Sequence, residues 1–293
     1  MVRLVNNLKT VLLLGALMGL CVAVGSAFGK NGLVIGLMLG GSMNLIAWFF
    51  SDKIALATMQ AKEVTPANGG AAAELYHMVD ELRQRANLPM PRVYICPQQA
   101  PNAFATGRSP SRAAVAVTSG ALQMLSFDEL RGVMAHELAH VKNRDTLTSC
   151  IAAMVAGTLA YLAHMAMWFG GGNNREGGNP LVGLLTLILA PIGAAVIQSM
   201  ISRSREYVAD ADGAAIAGDA RGLMSALKKL EAMSGRIPMD NPNPAQNNLF
   251  IVEPFMGKSI MNLFATHPPM EKRIASLAKV QQQLQDVQSG RRV

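Results

Sequence analysis

Charge is scarce in this chain. Of its 293 residues, 15% are charged, whereas ordinary soluble domains carry about 25%. With 51% hydrophobic residues and a mean hydropathy of +0.25, that scarcity argues against a wholly soluble protein. Cysteine is scarcer still. Cys21, Cys96 and Cys150 are odd in number and far apart, which excludes a disulfide framework and agrees with a reducing compartment. There is no basic stripe interleaved with aromatics and no zinc-finger spacing, so nucleic acid is not an expected partner. GSAFGK has one residue too few between its glycines to be a P-loop, which speaks against a bound nucleotide. Only five residues are histidine, so any close pair of them carries weight.

What the chain has instead is long apolar runs. Residues 8–28 carry one charge, Lys9, and residues 31–50 carry none. As helices these are about 30 Å long, enough to cross a bilayer core. Gly32, Gly36 and Gly40 repeat every four residues, a stripe that lets membrane helices pack closely. Gly25 and Ala27 would suit a signal-peptide cleavage site, but the run is long for one and a second span follows at once. Residues 146–169 and 181–200 form a second apolar pair around the polar turn GGGNNREGGN. Being rich in Ala and Gly, they either span the bilayer or form a hairpin that enters only partly.

Positive charge sets the orientation. Arg3, Lys9, Lys53, Lys62, Lys142, Arg144, Arg203 and Arg205 flank one side of these spans, while only Lys30 and Arg175 lie in the opposite turns. The polar regions 51–145 and 201–293 are therefore expected in the cytoplasm. The net charge of +7 suits an anionic membrane surface.

In the first polar region, Leu75, Val79, Leu82 and Ala86 share one helical face over 71–87. Two β-prone runs, 92–96 and 113–118, are expected to pair as a small sheet, with PNAFATG between them. Ser126 and Glu129 form a capping box at the head of an apolar-periodic helix. In the second polar region, 202–217 and 220–234 read as helices, with Asp219 capping the latter. Residues 236–258, rich in Pro and Asn, read as a long loop. Pro268 and Pro269 open a last helix.

The capped helix contains VMAHELAHVK, residues 133–142. His136 and His140 stand four apart, so both imidazoles project from one face toward one ion. Zinc accepts such a pair. Glu137 is placed to take a proton from an attacking water and to pass it to the leaving amine. The third ligand must come from elsewhere. Six residues after His140 stands Thr146, which excludes the three-histidine metzincin pattern. Among the glutamates, Glu176 lies at the far tip of the second apolar pair, Glu231 among lysines, and Glu253 in the Pro/Asn-rich loop. Glu206 stands where the chain returns to its starting side and is sterically the best placed. Asp210, one turn on, is positioned to accept the second ring N–H of a ligand histidine.

HELAH, NAFATG, SRSREYVADADGAA and THPPMEKRI occur in that order. In these motifs and in length the chain resembles the HtpX-type membrane zinc endopeptidases, relatives of the CAAX prenyl endopeptidases. The resemblance covers nearly the whole chain. It implies one Zn2+ per chain, held by His136, His140 and Glu206, with Glu137 as general base. It implies ATP-independent cleavage of misfolded or damaged membrane proteins at the cytoplasmic face of a bacterial inner membrane, under heat or envelope stress. Asn102, Ala103 and Phe104 resemble the family's segment at the cleft edge, where an extended strand pairs with substrate backbone. A turn held by Asn102 is the structural alternative. His267 resembles a family histidine that donates to the tetrahedral oxyanion, and equally suits a helix cap.

The remaining histidines and the methionines fit packing. His77 lies on an amphipathic helix, His164 in the third apolar run, and the 19 methionines mostly fall on apolar faces. The expected architecture is a mainly α integral membrane protein. It has two apolar helical hairpins and a gluzincin-like cytoplasmic metalloprotease domain with a small β element. Its parts are a hairpin and linker (1–64), a protease region with the HExxH helix (65–145), a second hairpin (146–200), and a protease region with the third ligand (201–293). A membrane chaperone or scaffold with a structural metal is the alternative from another class, and Glu137 separates the two.

Overall fold

Two apolar helices open the chain, α1 (Val2–Ser26) and α2 (Gly29–Thr58). Asn44 Nδ2 on α2 donates to the Leu14 carbonyl at 3.0 Å, and Gly40 lies against Met18. Contacts that rise along one helix and fall along the other define an antiparallel hairpin. Leu13, Leu17 and Ala47 are buried in its seam. On the outside, Leu33, Val34, Ile35, Leu37, Met38 and Leu39 are exposed. So much exposed apolar surface suits hydrocarbon, not water.

The computed structural model describes residues 2–26, 29–149, 151, 203–234 and 268–289. Among them one stretch, Lys30–Thr58, is long and apolar enough to cross a membrane, and Leu8–Gly19 is a shorter apolar segment. The expected second pair, 146–169 and 181–200, lies outside the described residues except for 146–149 and 151, which are helical. So do His164, Glu176 and the 236–258 loop.

The rest is a small sheet carried on helices. Strands β1 (Lys62–Val64), β2 (Arg92–Cys96), β3 (Ala103–Thr106) and β4 (Ala114–Thr118) lie in the order β1-β2-β4-β3. β2 and β4 pair, as their β-prone runs led one to expect, and they do so in parallel, while β1 and β3 close the edges antiparallel. Side chains alternate across the sheet. Val93, Ala103, Val115 and Val117 face the helices, in one cluster with Leu82, Met134 and Leu138. Tyr94, Cys96, Phe104, Ala114 and Ala116 face the other way, onto Leu56 and Met59 at the end of the α1–α2 hairpin. The hairpin therefore floors the sheet.

The helices are α3 (Gly70–Arg85), the short α4 (Ser119–Met124), α5 (Phe127–Asn143), α6 (Arg203–Ala217), α7 (Arg221–Ser234) and α8 (Met270–Gln288). α3 buries Leu75, Val79 and Leu82, the face its periodicity marks. α8 starts directly after Pro269. α5 is the central element, packed by α6 and α7 and by the sheet. Its capping box is formed: the Ser126 N–H donates to Glu129 Oε2 at 2.8 Å, and the Glu129 N–H to Ser126 Oγ at 3.4 Å. The Glu129 carboxylate also accepts from Ser225 and Lys229 on α7, at 2.6 and 2.7 Å.

Candidate metal centre

α5 presents His136 and His140 on one face, and their Nε2 atoms are 3.2 Å apart. Glu206, in the first turn of α6, puts Oε2 3.7 Å from His136 Nε2 and Oε1 3.7 Å from His140 Nε2. One donor atom from each of the three lies within 4.8 Å of the others. Two zinc–nitrogen bonds of about 2.05 Å at a tetrahedral angle place their donors about 3.3 Å apart. The residues present therefore fit a single zinc-sized cation.

The histidines are aimed from behind. His136 Nδ1 is 3.1 Å from Asp210 Oδ1, and His140 Nδ1 is 3.1 Å from Asp145 Oδ2. A carboxylate at Nδ1 keeps the proton there and leaves the Nε2 lone pair for a cation. Burial disfavours a charged His140, yet Asp145, Glu206 and Glu137 together hold its pKa at about 9.

Two buried arginines tie the carboxylates down. Arg273 on α8 is fully buried and grips Asp210 with Nε at 2.9 Å and Nη2 at 2.7 Å. Its Nη2 is also 3.6 Å from Glu206. Burial alone would raise the Asp210 pKa, but Arg273 and His136 lower it. Arg205 stands 3.7 Å from Asp145.

Glu137 is 5% exposed and follows the first ligand histidine. Burial pushes its pKa up, against the pull of His136 and His140. The backbone N–H of Ala105 donates to its carboxylate. Ala105 belongs to β3, the edge strand. The Thr118 N–H donates to the Asn102 carbonyl at 2.9 Å, so even-numbered β3 residues turn their backbone toward β4. Ala103 and Ala105 therefore turn theirs to the edge that is free among the described residues, beside Glu137.

The side chains of the expected cleft segment are less open than its backbone. Asn102 is 1% exposed, and its backbone N–H donates to Thr118 Oγ1 at 2.8 Å. Ala103 is buried against the helices. The Phe104 ring is taken up in the cluster under the sheet with Leu56 and Met59. His267 lies outside the described residues. Sequence reasoning missed Asp145, Arg205, Arg273 and Ala105. One signal was available. Two ligand histidines need two acceptors behind them, and Asp210 supplies one.

Close helix packing makes the geometry possible. A Cβ on Gly213 of α6 would lie 2.8 Å from the His136 Cα and 2.9 Å from its N. Only glycine lets α6 come near enough to bring Glu206 to both rings.

Residues 71–281 match the family model described as Peptidase family M48. The chain belongs to peptidase family M48. It is 52% identical over 292 residues to a protease HtpX homolog of Desulfatibacillum aliphaticivorans, covering 97% of this chain and 93% of that one. It is 51% identical over 286 residues to one of Nostoc punctiforme, covering 95% and 98%. The crystal structure of S. mikatae Ste24p superposes with a TM-score of 0.51 at 17% identity, over 94% of this chain and 66% of that one. That likeness bears on fold alone. This M48 member is a mostly helical, membrane-bound metalloprotease with a small sheet. Nothing found favours a holding protein with a structural metal.

Proposed function

We propose that this protein is a zinc-dependent endopeptidase of the bacterial inner membrane that cleaves misfolded or damaged membrane proteins from the cytoplasmic side, without ATP. The observation that carries this reading is the convergence of His136, His140 and Glu206 beside Glu137 and the free edge of β3. The HtpX homolog names of the relatives and the excess of Lys and Arg on one side of the spans support the setting. We further propose the four-part division 1–64, 65–145, 146–200 and 201–293, with both apolar pairs in the bilayer.

His136, His140 and Glu206 would hold the zinc ion, which would supply a Lewis acid for the scissile carbonyl and for the attacking water. Substrate backbone lies along the free edge of β3, between the Ala103 and Ala105 backbone groups, as an added strand. Backbone pairing tolerates many sequences but requires an extended chain, which selects unfolded segments. The Glu137 carboxylate takes the proton of the attacking water and delivers it to the amine nitrogen as the peptide bond breaks. Its raised pKa suits it to hold that proton between the two steps. Asp210 and Asp145 keep the histidines turned inward. His267 is proposed as a donor to the oxyanion.

The test is Glu137→Gln in the full-length protein. The variant keeps its zinc, measured by metal analysis, and loses cleavage of unfolded casein. Cleavage at the parental rate with zinc retained would reject Glu137 as the base and with it this mechanism.

A further inference from the structure

Two cations stand where the apolar surface of α2 ends, and a third lies on the neighbouring loop. Lys53 Nζ sits 5.4 Å from the centre of the Phe50 ring, and the Arg108 guanidinium 4.9 Å from that of Phe49. Arg112 is exposed on the same loop as Arg108. Among the described residues none of the three pairs with a carboxylate. Asp52, beside Lys53, is taken by Arg92 at 3.1 Å. Trp48, Phe49 and Phe50 are themselves exposed. Aromatic rings topped by uncompensated Lys and Arg suit the headgroup level of a membrane whose surface is negative.

This rim is fixed to the substrate edge. Arg108 follows β3 by two residues. Gly107 between them has φ +119, and a Cβ there would collide with the Arg112 carbonyl oxygen, so the loop 107–113 folds tightly back on itself. The Gly107 carbonyl accepts from Thr146 Oγ1 at 2.8 Å, which pins the loop to the segment after α5. Wherever Arg108 and Arg112 settle, β3 settles with them.

We propose that Lys53, Arg108 and Arg112 form a docking face for anionic phospholipid headgroups, which holds the free edge of β3 at the membrane surface. The substrate class follows: chain segments a few residues beyond their exit from the bilayer are cleaved in preference to equally unfolded chain in solution. This substrate statement rests on the protease reading above, whereas the lipid contact does not.

The experiment uses zinc-loaded full-length protein in discs of phosphatidylcholine, with and without phosphatidylglycerol. Nitroxide-labelled forms of each lipid report by electron paramagnetic resonance which is held at the protein surface. The expected result is a severalfold preference for labelled phosphatidylglycerol, up to roughly fivefold per engaged cation. The triple variant K53Q/R108Q/R112Q loses it with unchanged circular dichroism. Equal retention of both lipids by the parent protein overturns the proposal, whether or not the enzyme is active. A second arm uses a membrane-anchored reporter with its cleavable segment close to the anchor. Phosphatidylglycerol speeds its cleavage by the parent but not by the triple variant, while both cleave casein equally in detergent. Slower cleavage of casein by the variant in detergent assigns the cations to the substrate or the fold and overturns the lipid role.

Discussion

The Asp145 carboxylate meets Nδ1 of His140 at 3.1 Å, although α5 has already ended between them. The chain turns at Arg144, a left-handed residue with φ 59. That corner brings Asp145 back to the His140 ring, five residues earlier in the chain. Arg205 at 3.7 Å balances its charge.

Asp145→Ala is therefore expected to weaken metal binding by about 10–100-fold, the usual cost of losing such a partner. Competition with a fluorescent chelator measures it, and Asp145→Glu or Asp145→Asn reports how much an acceptor of altered reach or charge restores. Parental affinity in Asp145→Ala would show that His140 needs no support from this side.

Gly213→Ala is expected to lower stability by roughly 1–3 kcal/mol, the usual cost of overpacking. The added methyl meets the His136 backbone at 2.8 Å and pushes α6 away from α5. Because Glu206 rides on α6, metal affinity falls too. Thermal unfolding with and without metal separates the two effects. A thermal midpoint equal to the parent's would contradict the described helix contact.

Glu129 gives a prediction in pH. Burial works against its charge, but hydrogen bonds from Lys229, Ser225 and the Ser126 backbone hold its pKa at about 2, below the ordinary 4.5. A carboxyl depressed in the folded state contributes stability that is fully present above pH 4.5 and is lost as pH falls through about 2. Glu129→Gln is expected to lower stability at neutral pH and to flatten its decline across that window. Lys229 is 45% exposed, so salt screens part of the effect. Urea unfolding at several pH values measures it, and parallel curves for parent and variant would exclude Glu129 as the source.

Local signals made α3, α5, α6, α7 and α8 legible in the sequence. The Ser126–Glu129 box, the i, i+4 histidines and Pro269 each act within one or two turns, so they need no knowledge of the rest of the chain. The helical part of the site was legible for the same reason. Its supporting shell was less so. A fully buried Arg273 contradicts the ordinary habit of arginine, and only Asp210, some sixty residues away, explains it. Three-residue β1 carries almost no pattern of its own and exists through pairing with β2. The order β1-β2-β4-β3 is likewise a matter of long-range pairing. Alternation in a strand does not say which face meets a cleft, so the packing of the Phe104 ring onto Leu56 and Met59 was not legible.

Leu56 and Met59, at the foot of α2, pack beneath Tyr94, Phe104 and Ala116. The anchor is thus also a foundation. Trimming it away to obtain a tractable water-soluble fragment would strip the underside of the sheet bare and invite aggregation. Biochemistry on this enzyme belongs in detergent or lipid with its first sixty residues in place.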